Sequence, residues 1–226
     1  GLGYGQAVTQ IVPEYLTATK KTAQLTGSYN VKDSVDLSPA QLQAANEVRS
    51  TQKPSVLHGI TGAGKTRLYI HLLQQTLKEK KNVLLLYPEI ALTSQIVTEL
   101  SRHARVAVFH SQLTDAERSK LWYTVLESNE PHVVVGPRSV LFMPHKNIGL
   151  IIIDEAHETT YKQENEPRYH ALYVAAGLSN SHRAKLVLGS ATPPISETER
   201  ILQSGGNLVC LHEKAIKSAT NTKLSV

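Results

Sequence analysis

The feature that most constrains the fold is a glycine-rich segment at residues 59–66, which reads Gly-Ile-Thr-Gly-Ala-Gly-Lys-Thr. It matches G-x-x-x-x-G-K-[ST] at every position, a pattern typical of a loop whose backbone N–H groups surround a phosphate. Such a loop joins a strand to a helix, because the N-terminal end of the helix also attracts the anion. A short predicted strand, Val-Leu-His at residues 56–58, precedes the loop, and leucines at helical spacing follow it. The segment therefore predicts a nucleotide-binding α/β domain.

The residues of this loop have distinct expected roles. Its glycines let the backbone approach the β-phosphate closely, Lys65 reaches the β- and γ-phosphates, and Thr66 binds Mg²⁺. The expected nucleotide-binding residues of the loop are Gly59, Thr61, Gly62, Ala63, Gly64, Lys65 and Thr66. The alternative is a chance glycine-rich turn, which the complete match between a strand and a helix disfavours.

A second motif, Asp-Glu-Ala-His at residues 154–157, follows a short apolar run. A buried strand ending here would deliver both carboxylates to the edge of the sheet that holds the phosphate loop. We expect Asp154 to hold Mg²⁺, directly or through water, and Glu155 to orient or deprotonate the attacking water. His157 is expected to couple this motif to its neighbours rather than to transfer protons. An Asp-Glu pair alone often only caps a helix, but with Lys65 upstream it predicts three catalytic residues: Lys65, Asp154 and Glu155.

Small hydroxyl residues follow a further predicted strand at residues 185–188. Ser190 and Thr192 lie in the sequence Gly-Ser-Ala-Thr directly after it. At the end of a strand, these hydroxyl groups can hydrogen-bond the acidic motif and sense the γ-phosphate. Alone the segment would be an ordinary turn, but in this order it is the third expected part of a nucleotide-driven site.

Strands and helices alternate along the chain from residue 37 onward. The predicted helices cover residues 41–49, 65–78, 92–102, 114–127, 169–178 and 195–203, with an N-cap at Ser38 and Pro39 in the first helical position. The predicted strands cover residues 56–58, 83–87, 106–109, 132–135, 148–153, 185–188 and 208–211. Alternation with continuous Val/Ile/Leu strands favours a parallel sheet covered by helices on both faces. Residues 1–36 have poor periodicity and are interpreted as a linker or a remnant of a preceding domain, and residues 37–226 as one α/β lobe.

Composition excludes several classes of protein. A hydrophobic content of 41% over 226 residues suits a globular core, and no apolar run approaches the ~20 residues of a membrane span. We expect no membrane partner and no export signal. The single cysteine, Cys210, is interpreted as a small buried residue on a strand, and it cannot form an internal disulfide or a zinc site. This usage predicts a cytoplasmic protein, and the net charge of +5 is only weak support for nucleic-acid binding.

The three motifs, in this order, resemble the first motor lobe of superfamily 2 helicases. Further segments at residues 88–95, 109–118, 136–142 and 161–171 narrow the resemblance to the PriA family of primosomal helicases, which restart stalled replication forks. The first and last of these segments are specific to that family, whereas the phosphate loop is not. The resemblance implies a RecA-like P-loop NTPase lobe that binds ATP and Mg²⁺, within a helicase that translocates on single-stranded DNA with 3′ to 5′ polarity.

The resemblance also assigns roles to residues outside the three motifs. Gln41 matches the position that reads the adenine edge. The residues implied to contact DNA are Thr93, His110, Ser111, Arg138, Ser139, Tyr161, Lys162, Arg168 and Tyr169. The resemblance places the last four of these, from Tyr161 to Tyr169, in an aromatic-rich loop that would sense single-stranded DNA. Aromatic and guanidinium planes stack on unpaired bases, and lysine contacts phosphate. Without the resemblance, this loop would be interpreted as an exposed polar connection.

We expect the chain to be part of a longer protein. The resemblance implies a second motor lobe with an arginine finger, and zinc sites only in that further part. The implied partners are single-stranded and forked DNA, other primosome proteins and single-strand-binding protein. The isolated lobe is expected to bind ATP weakly and to hydrolyse it slowly or not at all. Two alternatives remain open: a lobe of another superfamily 2 translocase, acting in repair, branch migration or restriction, or a non-hydrolysing nucleotide- or DNA-binding module.

Overall fold

The computed structural model of the protein describes residue 23 and residues 25–27, 35–88 and 93–211. Its helices are α1 Pro39–Ser50, α2 Lys65–Lys78, α3 Ser94–His103, α4 Asp115–Glu127, α5 Ala171–His182 and α6 Ile195–Gln203. Its strands are β1 Ser55–Gly59, β2 Asn82–Leu86, β3 Val106–Val108, β4 Val133–Gly136, β5 Ile148–Ile153, β6 Lys162–Gln163, β7 Tyr169–His170, β8 Lys185–Ser190 and β9 Asn207–Leu211. Short 3₁₀ helices occupy Arg138–Phe142 and Thr159–Tyr161.

Seven of these strands form one sheet in the order β3-β4-β2-β5-β8-β1-β9. Every pairing within it is parallel. Strand β5 is central, and β8 and β1 follow it in the sheet, so the segments after these three strands emerge side by side at one edge. This is the crevice where open α/β sheets bind ligands, and it places the three sequence motifs together.

The core lies on both faces of the sheet because side chains alternate along each strand. Leu85, Ile152 and Val187 are fully buried on the face that α1 and α2 cover. Leu84, Ile151 and Leu186 point the other way and pack with residues of α4 and α5. Strands buried on both sides explain the continuous apolar runs of the sequence, and the predicted parallel α/β fold is confirmed.

Most predicted elements exist, with ends that differ by a few residues. The N-cap at Ser38 is confirmed as a capping box: the Ser38 hydroxyl accepts from Gln41 N–H, and the Gln41 side chain accepts from Ser38 N–H. The prediction of a helix from Tyr169 is wrong at its start. Tyr169 and His170 instead pair antiparallel with Lys162–Gln163, and α5 begins at Ala171.

The ends of the chain lie largely outside the described residues, including residues 212–226 of the predicted lobe. Part of the predicted linker is described and packs on the lobe. Thr26 forms an antiparallel bridge with Val106, with N···O distances of 3.0 and 2.8 Å, and Ala23 N–H donates to the Thr124 hydroxyl at 2.7 Å.

Cys210 is exposed on the edge strand β9, so its interpretation as a buried residue is wrong. None of the described helices combines the length and apolar character needed to cross a bilayer.

Leu85→Ala should lower the free energy of unfolding by about 2–5 kcal/mol, because it leaves a cavity in the centre of the sheet. Leu85 is 0% exposed, whereas Leu208 on β9 is 41% exposed, so Leu208→Ala is the matched control with a much smaller expected loss. Urea unfolding followed by circular dichroism would measure both. Equal losses for the two variants would contradict the described core.

Candidate active site

The phosphate loop leaves β1 and turns directly into α2. Gly62 and Gly64 have φ angles of 82° and 80°, a left-handed conformation that side chains disfavour. The turn is closed by a hydrogen bond from Ala63 N–H to the Ile60 carbonyl at 3.1 Å. Gly64 is the N-cap of α2, so the first N–H groups of a fourteen-residue helix face the loop. This geometry suits a phosphate, and phosphate binding by the loop stays a prediction.

Lys65 lies between this loop and the acidic motif. Its Nζ donates to the Gly59 carbonyl at 3.1 Å and lies 3.6 Å from Glu155 Oε1. The Lys65 side chain is only 10% exposed, against 31% for Glu155. The two predicted catalytic residues therefore meet across the crevice, and the ammonium is held against the first residue of the phosphate loop.

Gln41 braces the phosphate loop from α1. It is 3% exposed, and its Nε2 lies 3.2 Å from the Ala63 carbonyl and 3.4 Å from the Gly64 carbonyl. Its Oε1 accepts from Ser38 N–H at 3.0 Å. In this conformation the Gln41 amide is bonded to the protein at both its oxygen and its nitrogen, and it holds α1 against the phosphate loop. The contact with an adenine edge that the resemblance implies stays a prediction.

Asp154 ends the central strand and is buried. Its N–H donates to the Leu86 carbonyl at 2.9 Å, and its Oδ1 accepts from the Tyr69 hydroxyl at 2.7 Å. Burial raises the pKa of the Asp154 carboxyl, while the hydrogen bond from Tyr69 and the charge of Lys65 oppose that rise. Glu155 follows with a φ of 46°, a left-handed conformation rare for non-glycine residues and frequent at functional sites. The turn of the backbone at Glu155 separates the two carboxylates and brings the second beside Lys65.

His157 is joined to the segment that follows β8. Its Nδ1 lies 2.8 Å from the Ser190 hydroxyl, and Ala156 N–H donates to the Gly189 carbonyl at 2.9 Å. Ser190 Oγ also accepts from Thr192 N–H at 3.0 Å, which leaves the hydroxyl proton free to bond His157. The predicted contact between the acidic motif and the Ser-Ala-Thr segment is therefore present. Thr192 contributes through its backbone, and its side chain is exposed.

Tyrosines line the acidic motif, and sequence reasoning missed this feature. Tyr69, Tyr87 and Tyr161 are each 1% exposed. Tyr161 donates to the Asp154 carbonyl at 2.6 Å. Its implied role as a base-stacking residue is wrong in this structure, because the ring is enclosed in the core. Tyr69 could have been found from its spacing, since it lies four residues after Lys65 on the same face of α2.

Arg138 ties its 3₁₀ helix to the segment after the acidic motif. Its guanidinium donates to the Thr160 carbonyl and to the Gln163 side-chain oxygen. The ring of Tyr169 packs edge-on against Phe142, with centroids 5.0 Å apart. Arg138 and Tyr169 are thus partly used in holding the β6–β7 hairpin, rather than being fully presented to a ligand as the resemblance implied.

Other implied DNA-contacting residues lie at the surface. Lys162 and Arg168 are exposed on the hairpin, where they pair with Glu164 at 3.3 Å and Glu166 at 3.7 Å. The remaining positions follow the carboxyl ends of β2, β3 and β4, on the same side as the motifs. They are Thr93, His110, Ser111 and, within the first 3₁₀ helix, Ser139. The Thr93 hydroxyl accepts from Ile96 N–H at 3.4 Å and caps α3, and the Ser111 carbonyl accepts from Arg118 at 2.8 Å. Exposed bonds of this type can be exchanged for bonds to a nucleic-acid backbone.

The described residues contain no cluster of three or more His, Cys, Asp or Glu side chains that could hold a metal ion alone. The predicted pair, the Thr66 hydroxyl and the Asp154 carboxylate, offers hard oxygen ligands of the type that Mg²⁺ prefers. A metal ion with few protein ligands keeps several waters and takes further oxygens from a nucleotide phosphate. The residues present therefore fit a Mg²⁺ ion that arrives with the nucleotide.

Comparison with known proteins assigns this arrangement to a family. The model of the DEAD/DEAH box helicase family matches residues 38–201, more than half of the chain. The chain belongs to the DEAD/DEAH box helicase family. The matched region of this helicase lobe contains the phosphate loop, the acidic motif and the Ser-Ala-Thr segment, which are the three parts that meet at the crevice.

The resemblance to PriA is also confirmed. The lobe is 39% identical over 185 residues to the replication restart protein PriA of Bacillus subtilis, which covers 79% of this chain and 23% of that protein. It is 44% identical over 168 residues to PriA of Chlamydia pneumoniae, covering 71% and 22% of the two chains. It is 39% identical over 188 residues to PriA of Helicobacter pylori strain J99, covering 82% and 30%. The chain thus spans less than a third of these relatives.

Solved structures support the fold. The helicase domain of Pyrococcus furiosus Hef matches with a TM-score of 0.55 at 18% identity, covering 75% of this chain and 38% of that one. The DNA-bound helicase MrfA matches with a TM-score of 0.55 at 16% identity, covering 95% and 35%. At these identities the likeness shows a shared helicase-lobe fold, in agreement with the RecA-like architecture that the sequence predicts.

Gly189→Ala should lower the free energy of unfolding by about 1–3 kcal/mol, because an added Cβ would overlap the Tyr69 hydroxyl. Gly177 in α5 is the matched control: a Cβ there meets nothing within 4 Å, and alanine favours a helix by up to about 1 kcal/mol. Chemical denaturation of both variants would test the packing between α2 and β8. A neutral Gly189→Ala substitution would contradict it.

Proposed function

We propose that this chain is the ATP-binding motor lobe of a DNA helicase that acts in the restart of stalled replication forks. One observation carries the proposal: the segments after β1, β5 and β8 meet at one edge of the sheet, with Lys65 3.6 Å from Glu155 and His157 2.8 Å from Ser190. A phosphate-binding loop, a carboxylate pair and a sensing segment in contact are the parts that nucleotide hydrolysis requires. The similarity to the replication restart protein PriA supports replication restart over the other functions that helicases have.

The chemistry follows from the positions of two charged side chains. With ATP on the loop, Lys65 would exchange the Gly59 carbonyl for the β- and γ-phosphate oxygens, where its charge stabilises the transition state. Glu155 would then lose its lysine partner and be free to orient and deprotonate the attacking water. A Mg²⁺ ion bound by Thr66 and Asp154 would neutralise developing charge on the phosphates.

Loss of the γ-phosphate is proposed to be sensed through the Ser190–His157 contact. The Ser190 hydroxyl and the Thr192 N–H lie in one short hydrogen-bonded segment, and His157 joins it to the acidic motif. Any shift of Glu155 on hydrolysis would move the backbone that carries His157. This gives the coupling residues a physical route from the phosphate to the rest of the lobe.

The DNA is proposed to lie along the loops on the same side of the sheet. Lys162 and Arg168 on the hairpin are exposed cations, and their partners Glu164 and Glu166 are exposed as well, so both pairs are weak and can be exchanged for phosphate contacts. Tyr169 supplies a half-buried aromatic face beside them. Exposed cations beside an aromatic ring are a combination that binds unpaired bases without sequence preference.

Further properties of the proposal rest on the resemblance. They are 3′ to 5′ translocation, a cytoplasmic location, a second lobe with an arginine finger and zinc sites, and partners that include forked DNA, primosome proteins and single-strand-binding protein. An arginine finger contributes about 10³–10⁵ in rate in comparable enzymes, so the lobe alone should bind ATP weakly and turn it over slowly. Appreciable DNA-stimulated hydrolysis by this chain would contradict that expectation.

A different translocase task and a non-hydrolysing module are the rival proposals. Identity of 39–44% to PriA proteins supports restart over repair, branch migration or restriction. The contact between Lys65 and Glu155 supports a hydrolytic site over a mere binding platform, since a binding module does not need the second carboxylate. A preference of the longer protein for forked DNA over plain duplex would distinguish replication restart from another translocase task.

Lys65→Ala should weaken Mg²⁺-dependent binding of a fluorescent ATP analogue by about 10- to 100-fold, the loss expected for removing a charged hydrogen-bond donor. Lys53→Ala is the matched control, because Lys53 is exposed and precedes β1 at the opposite edge of the sheet. Fluorescence titration of the two variants and the unchanged chain would measure the effect. Equal affinities for all three would sink the assignment of the phosphate loop.

Removing the hairpin cations should weaken binding of a single-stranded oligonucleotide. For the double variant Lys162→Ala/Arg168→Ala, the slope of log affinity against log salt should become shallower by about 0.7 for each phosphate that the protein no longer neutralises. The double variant Lys53→Ala/Lys78→Ala removes the same charge from the far side and should leave the slope unchanged. Fluorescence anisotropy at several salt concentrations gives both slopes, and matching slopes would show that the hairpin does not contact DNA.

A further inference from the structure

Tyr69 connects the three motifs of the site through one side chain. It lies one helical turn after Lys65 on α2, and its ring is 1% exposed. Its hydroxyl donates to Asp154 Oδ1 at 2.7 Å. Burial and the neighbouring Asp154 raise the pKa of the Tyr69 phenol well above its ordinary value, so the hydroxyl keeps its proton and acts as a donor.

Gly189 makes this position possible. A Cβ on residue 189 would overlap the Tyr69 hydroxyl and would come within 3.2 Å of Asp154 Oδ1. The hydroxyl therefore occupies space that only glycine leaves open at the end of β8. Tyr69 thus begins on the helix of the phosphate loop, bonds the carboxylate of the acidic motif and packs on the first residue of the Gly-Ser-Ala-Thr segment.

The hydrogen bond from Tyr69 has two consequences for Asp154. It satisfies one oxygen of a buried carboxylate, which would otherwise be costly to ionise. It also fixes the rotation of the carboxylate relative to α2, the helix that carries Lys65 and Thr66. Groups that hydrogen-bond a metal-ligating side chain set its orientation in this way, and their loss costs about 10- to 100-fold in metal affinity.

We propose that Tyr69 is a positioning residue that orients Asp154 for the Mg²⁺ ion of the nucleotide and fixes it relative to the phosphate loop. The inference rests on the proposed function, since it assumes that a nucleotide binds with Mg²⁺. It adds a residue outside the three motifs, and it explains why residue 189 is a glycine in this chain.

Tyr161, another buried tyrosine beside Asp154, provides a matched control. It is also 1% exposed, and its hydroxyl also bonds residue 154, but it reaches the backbone carbonyl at 2.6 Å and not the carboxylate. Tyr69→Phe and Tyr161→Phe therefore each remove one buried hydroxyl beside Asp154. Only the first should free the carboxylate to rotate.

The test titrates Mg²⁺ at a fixed concentration of fluorescent ADP and of each variant, and follows nucleotide binding. The Mg²⁺ concentration for half-maximal binding should rise about tenfold or more in Tyr69→Phe. It should stay at the value of the unchanged chain in Tyr161→Phe. Gly189→Ala keeps the tyrosine but displaces its hydroxyl, so it should shift the midpoint in the same direction as Tyr69→Phe. Thermal unfolding shows which variants are folded at the temperature of the assay.

An unchanged midpoint in Tyr69→Phe would overturn the positioning role. Equal shifts in Tyr69→Phe and Tyr161→Phe would also overturn it, because a general loosening of the core would then account for both. If the unchanged chain bound nucleotide with no Mg²⁺ dependence or did not bind it, the proposed function would fail for this chain, and the inference would fail with it.

Discussion

The burial of Asp154 at the end of the central strand is the constraint on which the site depends. A carboxylate in this position is costly unless hydrogen bonds and a nearby cation compensate, and the surrounding sequence supplies both. Tyr69 bonds the carboxylate, and the charge of Lys65 favours the ionised form. Glycine at residue 189 makes room for the first of these groups. The packing of the crevice is therefore organised around one ionisable group.

Strand order then decides which segments share that crevice. Because β5, β8 and β1 are adjacent, the acidic motif, the Ser-Ala-Thr segment and the phosphate loop contact each other although they lie far apart in the chain. The contacts among them are polar and short: Ala156 N–H to the Gly189 carbonyl at 2.9 Å, and His157 to Ser190 at 2.8 Å. Hydrogen bonds between loop segments are easier to break than the apolar contacts below them, so the site can rearrange while the sheet stays intact.

The alternation of apolar strands and amphipathic helices was enough to predict the sheet, because residues such as Leu85 and Ile152 have no other way to be buried. The phosphate loop and the acidic motif were also predictable, since their chemistry requires particular residue types at fixed spacing. The side chains around them were not. Gln41, Arg138 and Tyr161 were assigned to ligands by resemblance, yet their polar atoms bond the protein's own backbone. Which partner a polar side chain takes depends on neighbours that are distant in sequence, and a motif does not specify them.

These same bonds explain how the outer hairpin is held to the nucleotide site. The hydroxyl of Tyr161 fixes the end of the 3₁₀ helix Thr159–Tyr161 on the backbone of Asp154, and β6 begins at the next residue. Arg138 holds the same stretch from the other side through Thr160 and Gln163. The exposed cations Lys162 and Arg168 are therefore carried by a hairpin with two fixed attachment points, one of which is the proposed metal-binding residue itself. A shift of Asp154 relative to β2 would break its 2.9 Å bond to the Leu86 carbonyl and move the origin of the hairpin. A buried tyrosine at this position thus anchors the start of the hairpin to the backbone of Asp154, which an exposed tyrosine could not do.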